Sequence, residues 1–251
     1  MLKQVKFWAR RLINFLGFDL IRLKSSNAEF PRLLLNVLDA YDIDCVIDVG
    51  ANAGQYGRFL REIGFEGHIV SFEPVSTVFT VLEQQSAADE KWSCHKLALG
   101  DRNETKTINV YKSTVFSSFL NANDYSKKIW ESLQDLTLET VRVVRLEDVF
   151  QELVGSLGCR NCMLKLDTQG YDKLAFEGAK GCLGRVRALQ SELSLIPVYD
   201  GMIEVYEVLK EYNGSGFFIS GMYPINRDES LAVIEYDCVM VKRESQAEQP
   251  R

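Results

Sequence analysis

The chain has 251 residues, 46% hydrophobic and 25% charged, as expected for a globular protein with one sizeable core. At this length roughly 70–75% of the unfolded surface can be buried, so no staple is required, and no apolar run approaches the roughly 20 residues of a membrane-spanning helix. A count of 29 basic and 35 acidic residues gives a net charge of −6, which repels phosphate backbones and argues against nucleic acid as a partner.

The first residues run against that balance: Lys3, Lys6, Arg10, Arg11, Arg22 and Lys24 meet only Asp19. Over Lys3 to Leu16 the residues Val5, Trp8, Leu12, Phe15 and Leu16 share one side of a helix. Such a helix suits docking on the domain's own surface or peripheral contact with an anionic membrane. It is no signal peptide, because Arg10, Arg11 and Asn14 break its apolar stretch and no small-residue cleavage site follows. Residues 1–40 therefore read as a helical extension, 41–243 as one domain and 244–251 as a disordered tail without apolar anchors. The six cysteines (45, 94, 159, 162, 182 and 238) read as reduced, buried thiols of a cytoplasmic protein. Cys159 and Cys162 have zinc-like spacing but no second pair, and structural zinc needs four ligands.

From Cys45 onward, β-branched runs alternate with helical periods, the mark of a parallel α/β sheet. The first run, Cys45 to Val49, ends in the turn Gly50-Ala51-Asn52-Ala53-Gly54. A helix follows with Tyr56, Phe59, Leu60 and Ile63 at i, i+3, i+4 and i+7 and Gly64 as its stop. A second run, His68 to Phe72, ends at Glu73-Pro74. Ser76 is expected to cap the next helix, with Val78, Val81 and Leu82 inward. A third run covers Ser93 to Leu97. The rhythm then lapses: Lys106 to Tyr111 and Glu139 to Arg145 read as a paired insertion on one sheet edge. It resumes with Cys162 to Asp167, a helix from Asp172 to Lys180, a strand over Ala188 to Leu195, a helix over Ile203 to Tyr212, and strands over Gly216–Ser220 and Glu235–Val241.

In such a sheet, ligands bind beyond the carboxyl ends of the strands, where the strand order reverses. That rule selects Asp48, Gly50, Glu73, Leu97 to Asp101, Asp167 to Gly170 and Glu192. It rejects His68, which opens its strand, and His95, which lies mid-strand. The glycine turn is either a plain tight turn or a nucleotide-type site at a helix N-terminus. Asp48 would repel a pyrophosphate but suits a ligand carrying positive charge. Asn52 stands where a dehydrogenase fingerprint has its second glycine. Glu73, at the end of the second strand, can accept both ribose hydroxyls. The pair favours S-adenosylmethionine over a dinucleotide.

The motifs Val46-Ile47-Asp48-Val49-Gly50-Ala51-Asn52-Ala53-Gly54-Gln55-Tyr56, Ser71-Phe72-Glu73-Pro74, Ala98-Leu99-Gly100-Asp101 and Leu164-Lys165-Leu166-Asp167-Thr168-Gln169-Gly170 resemble the FkbM family of class I methyltransferases. So do Ser117-Ser118, Arg145-Leu146-Glu147-Asp148, Glu192-Leu193-Ser194 and Pro197-Val198-Tyr199-Asp200-Gly201. The resemblance covers residues 40–243 in the family's order, with Glu147 and Asp172 exchanging one acid for the other. It implies a Rossmann-like α/β fold with a mostly parallel seven-stranded sheet, helices on both faces, and S-adenosylmethionine as cofactor. It also implies O-methylation of a hydroxyl on a glycan or secondary metabolite. Asp48, Gly50, Asn52 and Gly54 would then hold the methionine and ribose, Glu73 the ribose, and Leu99 and Asp101 the adenine. Ser117, Ser118, Gln169 and Tyr199 would meet the acceptor. Asp167 is the first candidate base and Glu192 the second; the other reading of Asp167 is a strand-end carboxylate that caps the next turn. Lys165 shares a face with Asp167 and suits a structural ion pair. Two rival functions are an NAD-dependent oxidoreductase and a non-catalytic module that keeps the pocket.

Overall fold

The computed structural model describes residues 29–243. Helix α1 (Glu29–Ala40) leads to β1 (Cys45–Val49), α2 (Gln55–Ile63), β2 (His68–Phe72), α3 (Ser76–Ser86) and β3 (Trp92–His95). There follow β4 (Ala98–Leu99), β5 (Glu104–Tyr111), α4 (Asp124–Ile129), β6 (Leu136–Val144) and α5 (Leu146–Leu153). The chain then runs through β7 (Cys162–Leu166), α6 (Asp172–Glu177), β8 (Val186–Ser194), α7 (Val205–Gly214), β9 (Phe217–Arg227) and β10 (Val233–Lys242). The basic helix expected over Lys3 to Leu16 and the expected tail lie outside the described residues.

Seven strands form one sheet in the order β3-β2-β1-β7-β8-β10-β9, parallel except for β10, which runs against both neighbours. The paired insertion forms its own three-stranded sheet, β4-β6-β5, rather than extending the large one. The third strand starts a residue earlier than expected and stops at His95 rather than Leu97, and Ala98–Leu99 beyond it crosses to pair with Val143 and Val144.

Side-chain alternation builds two cores. Cys45, Ile47 and Val49 of β1 join Cys162, Leu164 and Leu166 of β7 under Phe150, Phe176 and Tyr212. On the opposite face Val46, Met163, Ala188 and Val239 pack under Leu34, Val37, Leu38, Leu60 and Leu82. Helix α1 thus shares the domain's core instead of standing apart from it. Helix α2 starts and stops on left-handed glycines, Gly54 and Gly64, as its spacing predicts. In α3 Val78 and Leu82 are buried but Val81 is exposed, and Val75 rather than Ser76 is the cap residue. Ser76 instead bonds Glu139 of the small sheet through its hydroxyl and backbone N–H. No described helix is long and apolar enough to cross a membrane.

Strand order reverses between β1 and β7, so the crevice beyond their carboxyl ends is where a ligand belongs. Gly50 makes that crevice narrow at its root. Its φ is +76°, and a Cβ there would lie 1.9 Å from the Asp167 carbonyl oxygen. A non-glycine residue in this conformation costs about 1–2 kcal/mol before the clash is counted. Gly50→Ala is therefore expected to lower the melting temperature by several degrees in scanning calorimetry.

Candidate active site

Beyond the ends of β1, β2, β7 and β8 lies a cavity of about 420 Å³, within the roughly 300–1,000 Å³ of small-molecule sites. Its first wall is the turn after β1. Asn52 holds φ +46°, a left-handed conformation that asparagine tolerates better than most residues. Its Oδ1 accepts from the Ala53 N–H at 2.8 Å and from Gln55 Nε2 at 3.1 Å, bracing the turn. Glu73 faces this turn across the end of β2. One carboxylate oxygen accepts the Asn52 N–H at 2.9 Å and the other the Val75 N–H at 2.8 Å. Each oxygen keeps further acceptor capacity. Burial pushes the Glu73 carboxyl up to about 7 despite those two bonds, and the Asp48 charge adds to the rise. Pro74, Val75, Leu97, Ala98, Leu99 and Ile108 line an apolar shelf beside it.

The second wall is charged. Asp48 and Lys165 project from neighbouring strands in register. The ammonium lies 3.0 Å from Asp48 Oδ1 and 3.2 Å from Asp167 Oδ2, so one buried cation serves two carboxylates. Asp48 is fully buried, accepts a bond from Ser71 Oγ at 3.3 Å, and does not line the cavity. Its charge is met by Lys165, which changes the expectation that it faces a cationic ligand directly. The expected ion pair of Lys165 is present, with Asp48 as its closer partner. Asp167 does line the cavity, with its side chain 40% exposed.

Gln169 ties the candidate bases together. It too has a positive φ, +53°, the kind of strained backbone that clusters at functional sites. Its Nε2 donates to Asp167 Oδ1 at 3.1 Å and to Glu192 Oε2 at 2.5 Å. Its Oε1 lies 2.9 Å from the Tyr199 hydroxyl. Glu192 is not on the cavity wall and reaches it only through this amide. Burial, with the Asp167 charge next in weight, pushes the Glu192 carboxyl well above its ordinary range. Asp172 anchors the same turn by accepting from the Thr168 N–H at 2.7 Å and Ser191 Oγ at 3.0 Å.

Several predicted residues sit elsewhere. Asp101 is off the cavity and pairs with Arg102 at 2.6 Å, because the chain has already turned into the small sheet. Ser118 and Tyr199 are buried braces: the Ser118 hydroxyl donates to the Gln169 carbonyl at 2.7 Å, and the Tyr199 hydroxyl lies 2.8 Å from the Phe116 carbonyl. Ser117 does line the cavity, and its buried Oγ has no hydrogen-bond partner among the described residues. His95 closes β3 rather than lying mid-strand, but its ring packs 5.4 Å from Phe72 and off the cavity wall. The wall residues missed by sequence include Phe30, Gln190 and Asp237, along with Ile108, Thr114, Val115 and Phe119 from the insertion. Asp237 had a signal, since it is an acid inside the buried apolar strand Val233–Lys242. Among the described residues no group of three or more histidine, cysteine or acidic side chains is placed to hold a metal.

A profile of the methyltransferase FkbM domain matches residues 48–215, from Asp48 past Glu73 and Asp167 to the end of α7. The chain belongs to the FkbM methyltransferase family. Its cofactor is S-adenosylmethionine. The residues present fit that group: Glu73 offers a buried carboxylate with spare acceptor sites, Leu97 and Leu99 a flat apolar shelf, and Ser117 an unsatisfied hydroxyl. The FkbM chain is also similar in structure to an rRNA methylase from Streptococcus thermophilus, at 12% identity, TM-score 0.48, over 89% of this chain and 100% of that one. A fibrillarin from Aeropyrum pernix with natively bound S-adenosyl-L-methionine aligns at 11% identity and TM-score 0.45, over 83% and 74%. A putative tRNA (m1A22) methyltransferase from Streptococcus pneumoniae, in complex with S-adenosyl-L-methionine, aligns at 12% identity and TM-score 0.46, over 86% and 74%. No curated protein sequence matches the chain. The expectation that net charge excludes a nucleic-acid partner is withdrawn, because a whole-chain sum of −6 says nothing about one surface; chains named for rRNA and tRNA are among those similar to this one.

Proposed function

We infer that this FkbM-family methyltransferase O-methylates a hydroxyl of a glycan or secondary metabolite, and that it works in the cytoplasm. The observation that carries the reading is Asp167, a carboxylate open to the cavity at the switch point and held from both sides by Lys165 and Gln169. Six free cysteines support a reducing compartment.

When bound, S-adenosylmethionine supplies an electrophilic methyl group on a sulfonium. Glu73 would accept the ribose hydroxyls, the turn at Gly50, Asn52 and Gly54 would hold the methionine end, and Leu99 would cover the adenine. Asp167 would take the proton of the acceptor's hydroxyl, the service a nearly neutral alcohol needs at pH 7. Gln169, itself bonded to Glu192, would keep that carboxylate aimed. Alignment of the acceptor oxygen by the cavity walls would supply much of the remaining rate.

Two measurements test this. Calorimetry should show S-adenosylhomocysteine binding in the micromolar range and no heat with NAD; the opposite pattern would exclude the cofactor assignment. A screen with labelled donor should then place the label on oxygen of a hydroxylated acceptor, and label found only on nitrogen or carbon would refute O-methylation.

A further inference from the structure

The cavity has a second half that the FkbM profile covers only in part. Phe30 and Asp237 both line it, and both lie outside residues 48–215. Phe30 of α1 stacks on Phe59 of α2, with ring centroids 5.7 Å apart and planes 13° from parallel. Tyr56 adds a third ring 6.0 Å from Phe59, and all three rings are only half-buried. Below them the sheet supplies polar atoms in series. The Tyr56 hydroxyl donates to Gln190 Oε1 at 2.6 Å, and Gln190 Nε2 donates to Asp237 Oδ1 at 3.0 Å. The other Asp237 oxygen accepts no hydrogen bond from a described residue and is not a sealed-in atom. It is an unengaged acceptor on a residue of the cavity wall.

Sheet order sets where this half lies. From β2, which Glu73 follows, to β10, which carries Asp237, is four strand spacings, or about 19 Å. Asp167 lies midway, after β7. A group seated on Glu73 therefore leaves the β8–β10 end for a second molecule, with Asp167 between the two. The chemistry of that end is an apolar aromatic face beside a free carboxylate oxygen. Lys165 is the one cation among the residues lining the cavity, and it is already engaged by Asp48 and Asp167.

We propose that Phe30, Phe59, Gln190 and Asp237 form the acceptor subsite and that it takes the pyranose ring of a neutral sugar. The ring's apolar C–H face lies on the Phe30–Phe59 side and one hydroxyl donates to the free oxygen of Asp237. A carboxylate is an acceptor-only group and suits a hydroxyl donor, whereas a phosphorylated acceptor would set its charge against Asp237 with no free cation to offset it. A ribonucleoside also stacks on aromatic rings and offers N–H and ribose O–H donors to a carboxylate, so ribonucleosides are the competing arm of the test. The proposal rests on the reading that the protein methylates a hydroxyl.

The test is saturation-transfer NMR on the full chain loaded with S-adenosylhomocysteine. Methyl glucoside, galactoside, mannoside, fucoside and rhamnoside are compared at millimolar concentration with the four ribonucleosides. Irradiating aromatic protons should saturate the ring protons of at least one pyranoside. Losing a hydrogen bond to a charged group should weaken that signal roughly tenfold in Asp237→Asn, and losing the stacked ring should weaken it several-fold in Phe30→Leu. Both variants should bind S-adenosylhomocysteine as the wild type does. Phe30→Leu keeps an apolar side chain in the core, and circular dichroism checks both folds; if one variant unfolds, the other decides. Silence of every pyranoside, transfer to nucleosides alone, or full signal in the folded variants overturns the proposal. Absence of S-adenosylhomocysteine binding in the wild type would instead overturn the cofactor reading, so the two failures are distinct.

Discussion

Replacing Glu73 with alanine should weaken S-adenosylhomocysteine binding by about 10²–10⁴, since two hydroxyl bonds to a carboxylate are worth about 1.5–3 kcal/mol each. Part of that loss comes from the turn, because the Asn52 and Val75 N–H groups lose their acceptor. Glu73→Gln separates the two contributions, keeping the size and one acceptor oxygen without the charge. The pH dependence gives a sharper signature. Burial raises the carboxyl to about 7, so the free protein carries a proton there at pH 6. The folded chain then holds more protons than the unfolded one between roughly pH 4.5 and 7, and this group's contribution to stability falls as pH rises through that window. Ribose hydroxyls donate to the ionised form, so affinity should rise with pH up to about 7 and level off above it. The limiting slope is roughly tenfold per pH unit below that point. Calorimetry between pH 5.5 and 8 on the wild type and Glu73→Gln reads it directly. A flat wild-type profile, or the same slope in both proteins, would remove Glu73 from the ribose site.

Much of this site was legible because glycine turns and strand-end acids have few other uses. Gly50 and Asp167 mark the ends of two adjacent parallel strands, and the alternation of strands with helices was enough to place them together. Other features escaped for physical reasons. Strand β9 runs to Arg227 rather than Ser220, since pairing with β10 carries Gly221 and Pro224 that local propensity would end on. Ser118 and Tyr199 share the site's motifs yet spend their hydroxyls on the Gln169 and Phe116 carbonyls and, for Tyr199, the Gln169 side chain as well, a distinction that only long-range packing makes. Asp48 looked like a ligand for positive charge because its cation, Lys165, is 117 positions away in the chain and one strand away in space. Net charge misled most, as a sum over 251 residues cannot report on one cleft.

Asp167→Asn should lower methyl transfer at saturating donor and acceptor by about 10²–10⁴, the usual worth of a positioned general base, while donor affinity stays within a few-fold. Asparagine keeps an oxygen for Gln169 Nε2 and nearly the same volume, so the turn from Asp167 to Asp172 should survive. Lys165 keeps Asp48 at 3.0 Å and the Gly50 carbonyl at 3.4 Å, so the buried ammonium is not stranded. What disappears is the cavity-facing charge and the place for the acceptor's proton. Glu192 is the control for that statement. It sits behind Gln169, and burial together with the Asp167 charge pushes its carboxyl well up, which favours its protonated form. Removing the Asp167 charge relieves part of that push and lets Glu192 ionise more readily, though it does not line the cavity. The double variant Asp167→Asn/Glu192→Gln distinguishes a rescue from a bystander. If residual turnover in Asp167→Asn runs through Glu192, the second change should remove most of it and shift the pH profile. If the second change does nothing, the remaining rate comes from alignment alone. Normal turnover in Asp167→Asn with weakened donor binding would make Asp167 a cofactor contact, and the proton would have to leave by another route.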